Sequence, residues 1–365
     1  MRVILSGGGT GGHIYPALAI KEALEKKADD IEFLYVGKKD SMEEELAAAY
    51  HIPFASVHIQ GFPRKKINKD SILTMVELLH GLRDAGKILK DFQPDVVIGT
   101  GGYVCAPIVL KAQSKGIKTV IQEQNAYPGK TNRLLAKRVD LIAYSFKEAE
   151  KYFPEQTKKL YTGNPIRSTF EKIDEEAGRE AVGYNLDKPL VLSFGGSGGQ
   201  ESTNEAVLEI MKKHPSLNFH LVHITGKEHY DGFVKRMSQV DDESYTVLDY
   251  SHQIPEYLAV ADLVVASSSA MTLAEISAMH LPSILIPKAY TAGNHQYHNA
   301  MSYKKSDAAV VIEEKELNGH VLLQTIENLL DDEEKRREMG ANALHMVNTK
   351  GTDAIAEGII GLVRS

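Results

Sequence analysis

Short β-rich runs alternate with amphipathic helical stretches along this chain, and that alternation restricts its fold more than any other feature. In the first half the strand-like runs are Arg2–Ser6, Glu32–Val36, Val96–Gly99, Thr119–Gln122 and Leu141–Tyr144, separated by helical stretches such as Pro16–Lys26 and Leu73–Lys90. The second half repeats the plan with Leu190–Phe194, Asn218–Ile224, Tyr245–Leu248, Leu263–Ala266 and Ser283–Ile286. Units of this kind build a parallel sheet covered by helices on both faces, so the expected class is α/β. A length of 365 residues suits two such domains, each with its own core. The turn Thr162-Gly163-Asn164-Pro165 divides them, because proline biases Asn164 away from helix.

Composition narrows the function classes. At 43% hydrophobic residues, apolar burial can offset the entropy of ordering the chain, which argues against disorder. One cysteine excludes a disulfide framework and a cysteine-ligated zinc site, and it fits a reducing compartment. A net charge of -7 argues against a nucleic-acid binder that relies on overall charge. No apolar run reaches the ~18 residues of a membrane span. The opening Met1-Arg2-Val3-Ile4-Leu5-Ser6 reads as a strand, not a signal peptide.

Glycine clusters recur where strands end. They are Gly7-Gly8-Gly9-Thr10-Gly11-Gly12-His13, Gly99-Thr100-Gly101-Gly102-Tyr103 and Gly195-Gly196-Ser197-Gly198-Gly199. A backbone without Cβ atoms can approach a ligand, and a helix starting just beyond aims N–H groups at an anion. One such cluster is as readily a tight turn; three, in both halves, point to phosphate binding in a cleft between two lobes. Gly7, Gly9 and Gly12 also match the dinucleotide fingerprint, but the second strand ends Gly37-Lys38-Lys39 without the acidic residue a ribose would want. A nicotinamide-dependent reductase also leaves the third cluster unexplained.

Several polar residues share these strand ends. His13 follows Gly11-Gly12 and is a candidate general base, or else a residue that caps the helix or touches phosphate. Gln122-Glu123-Gln124-Asn125 carries amides suited to sugar hydroxyls, or is an exposed polar loop. Glu275, one turn into a helix after Ser267-Ser268-Ser269, is placed either to hold a ribose diol or to meet the helix dipole. His295 and His298 lack helical i, i+4 spacing and a third partner, so no metal site is expected there.

Taken together, the motifs resemble the MurG family of UDP-N-acetylglucosamine: undecaprenyl-diphospho-muramoyl-pentapeptide N-acetylglucosaminyltransferases. The matching residues are Gly8-Gly9-Thr10-Gly11-Gly12-His13 with Pro16-Ala17, Gly101-Gly102-Tyr103 with Pro107, Glu123-Gln124-Asn125, Gly163-Asn164-Pro165-Ile166-Arg167, Gly195-Gly196-Ser197, Ala270-Met271-Thr272 with Glu275, and Gln296 with Asn299-Ala300. The resemblance implies a GT-B fold of two Rossmann-like, doubly wound parallel-sheet lobes with a ligand cleft between them. The acceptor lobe would be residues 1–163, joined by a last helix at about 352–365, and the UDP-GlcNAc lobe residues 164–351.

The resemblance also implies roles. Ile254 would read uracil through its backbone, and Glu275 would hold the ribose. Ser197 and the helix start at Ala270, Met271, Thr272, Leu273 and Ala274 would take the UDP diphosphate. Asn125 and Gln296 would contact GlcNAc, with Arg167 beside the donor. Thr10, Gly11, Gly12, Gly102 and Tyr103 would face the acceptor diphosphate, and His13 would take the proton of the attacking C4 hydroxyl of MurNAc. No metal is obligatory in this scheme, though a divalent cation could stimulate. The sequence departs from the usual family pattern at Ser267-Ser268-Ser269, where many members have Arg-x-Gly, and at Gln122, Cys105 and Gln200.

A polyprenyl-linked acceptor implies contact with an anionic membrane surface and a peripheral position on the cytoplasmic face of the cell membrane, where cell-wall synthesis proteins are expected partners. Arg64, Lys65 and Lys66, leading into Ile72, Met75 and Leu79, are the candidate contact; a core-facing amphipathic helix is the competing reading. The other functions open are a GT-B relative with a different acceptor, a UDP-GlcNAc 2-epimerase and a non-catalytic nucleotide-sugar sensor.

Overall fold

The computed structural model describes residues 1–60, 69–166, 168–196, 198–237, 240, 243–348 and 350–364, with backbone only for 69–75, 168 and 171. The chain divides into two compact units, Met1–Ile166 with Thr349–Ser365, and Arg167–Asn348. Asn164 stays with the first unit: its side-chain amide donates to the Gln124 carbonyl (3.1 Å), and its Oδ1 accepts from the Ser145 hydroxyl (2.8 Å).

The first unit runs β1 (Arg2–Ser6), α1 (Gly11–Lys27), β2 (Glu32–Gly37), α2 (Met42–Ala49), β3 (Phe54–Ser56), α3 (Lys69–Phe92), β4 (Val96–Gly99), α4 (Ala106–Ser114), β5 (Lys118–Glu123), α5 (Lys130–Leu135), β6 (Leu141–Tyr144) and β7 (Lys159–Tyr161). Its strands are all parallel, in the order β3-β2-β1-β4-β5-β6-β7. The unbroken apolar run Val3-Ile4-Leu5 follows from burial on both faces of this sheet. Val3 and Leu5 join one core with Leu18 and Ile20 of α1; Ile4 joins the other with Ile108 and Val109 of α4.

The second unit runs α6 (Glu175–Val182), β8 (Leu190–Phe194), α7 (Glu201–Lys213), β9 (His220–Ile224), α8 (Lys227–Arg236), β10 (Tyr245–Leu248), α9 (Ile254–Val260), β11 (Leu263–Ala266), α10 (Ala270–Ala278), β12 (Ser283–Leu285), α11 (His295–Lys305), β13 (Val310–Val311), α12 (Gly319–Leu330) and α13 (Glu333–His345). The parallel order β10-β9-β8-β11-β12-β13 repeats the winding of the first sheet. The last helix, α14 (Gly351–Arg364), returns to the first unit, where Ile355, Ala356 and Ile359 are fully buried in the α1 core. Lys27 of α1 bonds Glu357 at 2.9 Å on its rim.

Two Rossmann-like parallel sheets are the expected fold class. The ten strands read from sequence are present, but β3, β7 and β13 were not legible. Each has only two or three residues at a sheet edge, too few for a periodic pattern. Helix α1 also starts at Gly11, ahead of Pro16, which sits inside it. Proline favours a first turn; here its missing N–H leaves the Gly12 carbonyl without the usual helical donor. Helix α3 buries Gly81, Ala85 and Leu89, while Val76 (40%) and Leu79 (59%) are exposed. Among the described residues no helix is long and apolar enough to cross a membrane.

Candidate functional site

Strand order brings the first two glycine clusters together. β1 lies between β2 and β4, so the direction of winding reverses between β1 and β4, and Ser6 pairs with Gly99. Ligands of doubly wound sheets bind beyond the carboxyl ends of strands at such a reversal. Here the two turns interlock so closely that Gly7, Gly8, Gly101 and Gly102 have no room for a side chain. A Cβ on Gly7 would lie 2.0 Å from the Thr100 hydroxyl, and one on Gly102 (φ +74°) 2.2 Å from the Gly8 carbonyl oxygen. Thr100 fastens the pair by donating from its hydroxyl to the His13 carbonyl at 2.6 Å.

The His13 ring occupies the space these glycines vacate. Its Cδ2 would be 2.7 Å from a Cβ on Gly101, and its Nδ1 3.3 Å from one on Gly102. Nδ1 lies 3.1 Å from the Gly8 carbonyl oxygen and 3.2 Å from the Thr10 hydroxyl. A carbonyl only accepts, so Nδ1 carries the hydrogen, and a neutral ring then has its lone pair on Nε2. The ring is half-buried, Thr10, Gly9 and Gly12 are exposed, and Tyr103 approaches Gly9 from the second cluster. These residues form one cradle in the first unit.

Two residues that pattern reading missed prop the cradle from below. The Tyr35 hydroxyl donates to the Gly7 carbonyl at 2.7 Å. Glu43, 2% exposed, accepts from the backbone N–H of Lys38 (3.2 Å) and Gly9 (3.4 Å), and its carboxylate fills the space under Gly8. Glu43 stands in a run of three glutamates, and nothing in that run distinguishes it from its exposed or half-exposed neighbours.

The carboxyl end of β5 and the residues just beyond it are not an exposed polar loop. Gln122, Glu123 and Gln124 are all at most 2% exposed. Gln124 donates to the Thr100 carbonyl at 2.6 Å, tying this segment to the cradle. Glu123 accepts from the backbone and side chain of Asn125 (2.9 and 3.1 Å), from Gly129 N–H (3.1 Å) and from Asn132 (2.9 Å). Burial raises its pKa against the opposing pull of these donors. Asn125 is thereby fixed in orientation, half-buried at the segment's end. Burial likewise pushes the Cys105 thiol up to about 12, so it is not a thiolate nucleophile.

In the second unit the winding reverses between β8 and β11, which sets Gly195–Gly199 beside Ser267–Ser269. The Ser269 hydroxyl caps α10, accepting from Thr272 N–H at 3.4 Å and sharing a hydrogen bond with the Thr272 hydroxyl at 2.8 Å. Ala270, Met271 and Thr272 form the buried first turn of α10. Leu273 and Ala274 are at most 2% exposed, so neither presents a side chain to a ligand. Glu275 is half-buried in the second turn, which removes the helix-dipole explanation: α10 has no acidic residue in its first turn. Ile254 is the first residue of α9.

Gln296, 6% exposed near the start of α11, accepts at Oε1 from Lys288 N–H (3.0 Å), while its carbonyl accepts from the Ser268 hydroxyl (2.8 Å). His295 donates from Nδ1 to the Ala292 carbonyl (2.9 Å), and burial lowers its pKa. Arg64, Lys65, Lys66, Arg167 and Ser197 lie outside the described residues, as do the side chains of Ile72 and Met75. Among the described residues, no three His, Cys, Asp or Glu groups converge as a metal site would require.

Comparison with known proteins agrees with this two-unit construction. Residues 3–144 match the glycosyltransferase family 28 N-terminal domain, and residues 190–357 the family 28 C-terminal domain. The chain is 43% identical over 366 residues to the UDP-N-acetylglucosamine--N-acetylmuramyl-(pentapeptide) pyrophosphoryl-undecaprenol N-acetylglucosamine transferase of Acetivibrio thermocellus, covering 100% of this chain and 99% of that protein. Its structure is similar to crystalline Acinetobacter baumannii MurG, with TM-score 0.77 and 23% identity over 99% of each chain. It is also similar to the UDP-GlcNAc 2-epimerase of Neisseria meningitidis, with TM-score 0.71 and 13% identity over 99% of this chain and 100% of that one. The two structural likenesses speak for the fold alone.

Proposed function

The chain belongs to glycosyltransferase family 28, and from that premise we propose that it moves GlcNAc from UDP-GlcNAc to the C4 hydroxyl of MurNAc-(pentapeptide)-diphospho-undecaprenol. The whole-length similarity to the Acetivibrio thermocellus transferase supports this substrate pair. The observation that carries the chemistry is the His13 ring, seated over Gly101–Gly102 with Nδ1 against the Gly8 carbonyl.

In this reading Nε2 of His13 takes the proton of the attacking hydroxyl as oxygen bonds the anomeric carbon. UDP leaves from the opposite face, so the α-linked donor gives a β-1,4 product without a covalent intermediate. Thr10, Gly11, Gly12, Gly102 and Tyr103 would hold the acceptor diphosphate by backbone N–H groups and the start of α1. On the donor side the α10 N-terminus, with Ser197, would stabilise the leaving diphosphate. Glu275 would hold the ribose, Ile254 the uracil, and Gln296 and Asn125 the sugar hydroxyls, with Arg167 beside them. No metal is obligatory in this scheme, so transfer should continue under chelation, and a divalent cation could at most stimulate it.

The lipid acceptor brings the enzyme to the cytoplasmic face of the membrane as a peripheral protein. The exposed Val76 and Leu79 of α3 support that contact. The test is mass spectrometry of the product from UDP-GlcNAc and a short-chain lipid-linked muramoyl peptide. One added HexNAc on MurNAc is expected; no transfer, with UDP-ManNAc formed instead, would turn the assignment to the epimerase.

A further inference from the structure

Lys288, in the segment between β12 and α11, is a half-buried cation that the family motifs do not include. Its ammonium donates to the Gly199 carbonyl at 2.6 Å, at the end of the third glycine cluster. Among the described residues it makes no ion pair. Glu314 is within electrostatic reach, but its carboxylate is occupied by Gln200 (2.9 Å), Ser202 (2.6 Å) and Ala289 N–H (2.7 Å). Burial lowers the Lys288 pKa, as expected for a charge only partly compensated. An ammonium has three donors, and one carbonyl satisfies one of them.

A second observation points to a ligand at the same place. Ser267, 1% exposed, has a buried hydroxyl with no hydrogen-bond partner among the described residues, and that oxygen lies 3.6 Å from the Cβ position Gly196 leaves empty. An unpaired buried hydroxyl is uncommon because its desolvation is then left uncompensated. A phosphate oxygen over Gly196 would accept from it. Lys288 also reaches the sugar end of the site, since its backbone N–H holds the Gln296 side chain.

We propose that Lys288 is a binding residue for the diphosphate of the nucleotide, shared with the Ser267 hydroxyl, and that its backbone links diphosphate binding to the orientation of Gln296. The assignment rests on the donor reading above, with the phosphate drawing the ammonium from the Gly199 carbonyl. The ligand class is a nucleoside diphosphate, bare or sugar-linked.

Titration calorimetry with uridine, UDP and UDP-GlcNAc, on wild type and on Lys288→Met, Lys288→Arg and Ser267→Ala, tests it. The wild type should bind UDP more tightly than uridine. Lys288→Met should lose about tenfold in UDP affinity, with uridine binding unchanged as the check that the fold is intact. Lys288→Arg should recover most of the loss, and Ser267→Ala should lose a few-fold on UDP alone. Equal UDP affinity in wild type and Lys288→Met overturns the proposal while leaving transferase activity to stand. A parallel loss of uridine binding reduces Lys288 to a structural strut and overturns it too. A wild type that binds neither UDP nor UDP-GlcNAc defeats the donor reading itself, and this one with it.

Discussion

Replacing Gly102 by alanine measures how tightly the two glycine clusters of the first unit must interlock, and Gly116→Ala supplies the reference. Both glycines have left-handed backbones, with φ of +74° and +71°, so both variants carry a strain of about 1 kcal/mol. They differ in surroundings. A Cβ at Gly116 meets nothing within 4 Å, whereas one at Gly102 would lie 2.2 Å from the Gly8 carbonyl oxygen and 3.3 Å from His13 Nδ1. Relieving the first contact requires a retreat of about 1 Å, and the overpacking adds roughly 1–3 kcal/mol. Gly102→Ala should therefore lose about 2–4 kcal/mol in urea unfolding, against about 1 for Gly116→Ala.

The functional consequence follows from which atom retreats. The Gly8 carbonyl is the acceptor that orients the His13 ring, at 3.1 Å, and a shift of that size breaks the bond. Misplacing a catalytic group by about 1 Å can lower a rate ~10²-fold. In a UDP-release assay Gly102→Ala should fall by about that factor in kcat, while Gly116→Ala stays near wild type. Folded Gly102→Ala protein with the kcat of Gly116→Ala would refute the claim that this contact positions the base.

The other expectations are shorter. His13→Ala should lower kcat by about 10²–10⁴ with UDP affinity kept; steady-state kinetics showing a change in KM alone would make it a binding residue. Glu275→Ala should weaken UDP binding, and unchanged calorimetric affinity would remove its ribose role. His223, fully buried between the Ser193 hydroxyl and Asn204 Oδ1 (3.0 Å each), has its pKa pushed by burial to about 3. Its folded value lies below the unfolded one, so the unfolded chain takes the proton first: stability is full above about pH 6.5 and falls towards pH 3, by about 2 kcal/mol at pH 5. Urea midpoints against pH should lose this slope in His223→Gln; an identical slope would assign it elsewhere. Vesicle flotation should weaken when Val76 and Leu79 become serine, and unchanged binding by the folded variant would take α3 out of the membrane contact.

Much of the site could be read from sequence because its signals are local. Glycine runs directly after strands, a histidine opening a helix and an Asn-Pro turn each act within a few residues, and together they marked both units and the family. Burial was harder to see. Gln122-Glu123-Gln124 reads equally as an exposed loop, and only the crowding of Thr100, Asn132 and Asn164 around it makes it a buried brace. The stripe on α3 shows the same limit, since apolar spacing identifies an amphipathic helix but not which neighbouring residue faces in.

By itself the sequence determined the α/β class, the ten strands read from it, the glycine-lined strand ends and membership of a nucleotide-sugar transferase family. The periods of helix and strand and the conformational freedom of glycine are properties of short segments. The tertiary structure decided which segments meet. It put Gly102 against Gly8, Glu43 beneath the first cluster and Lys288 on Gly199. Those partners are far apart along the chain. Strand order brings them together, and the cost of burying a charge or leaving no room for a Cβ then selects which residues stand there.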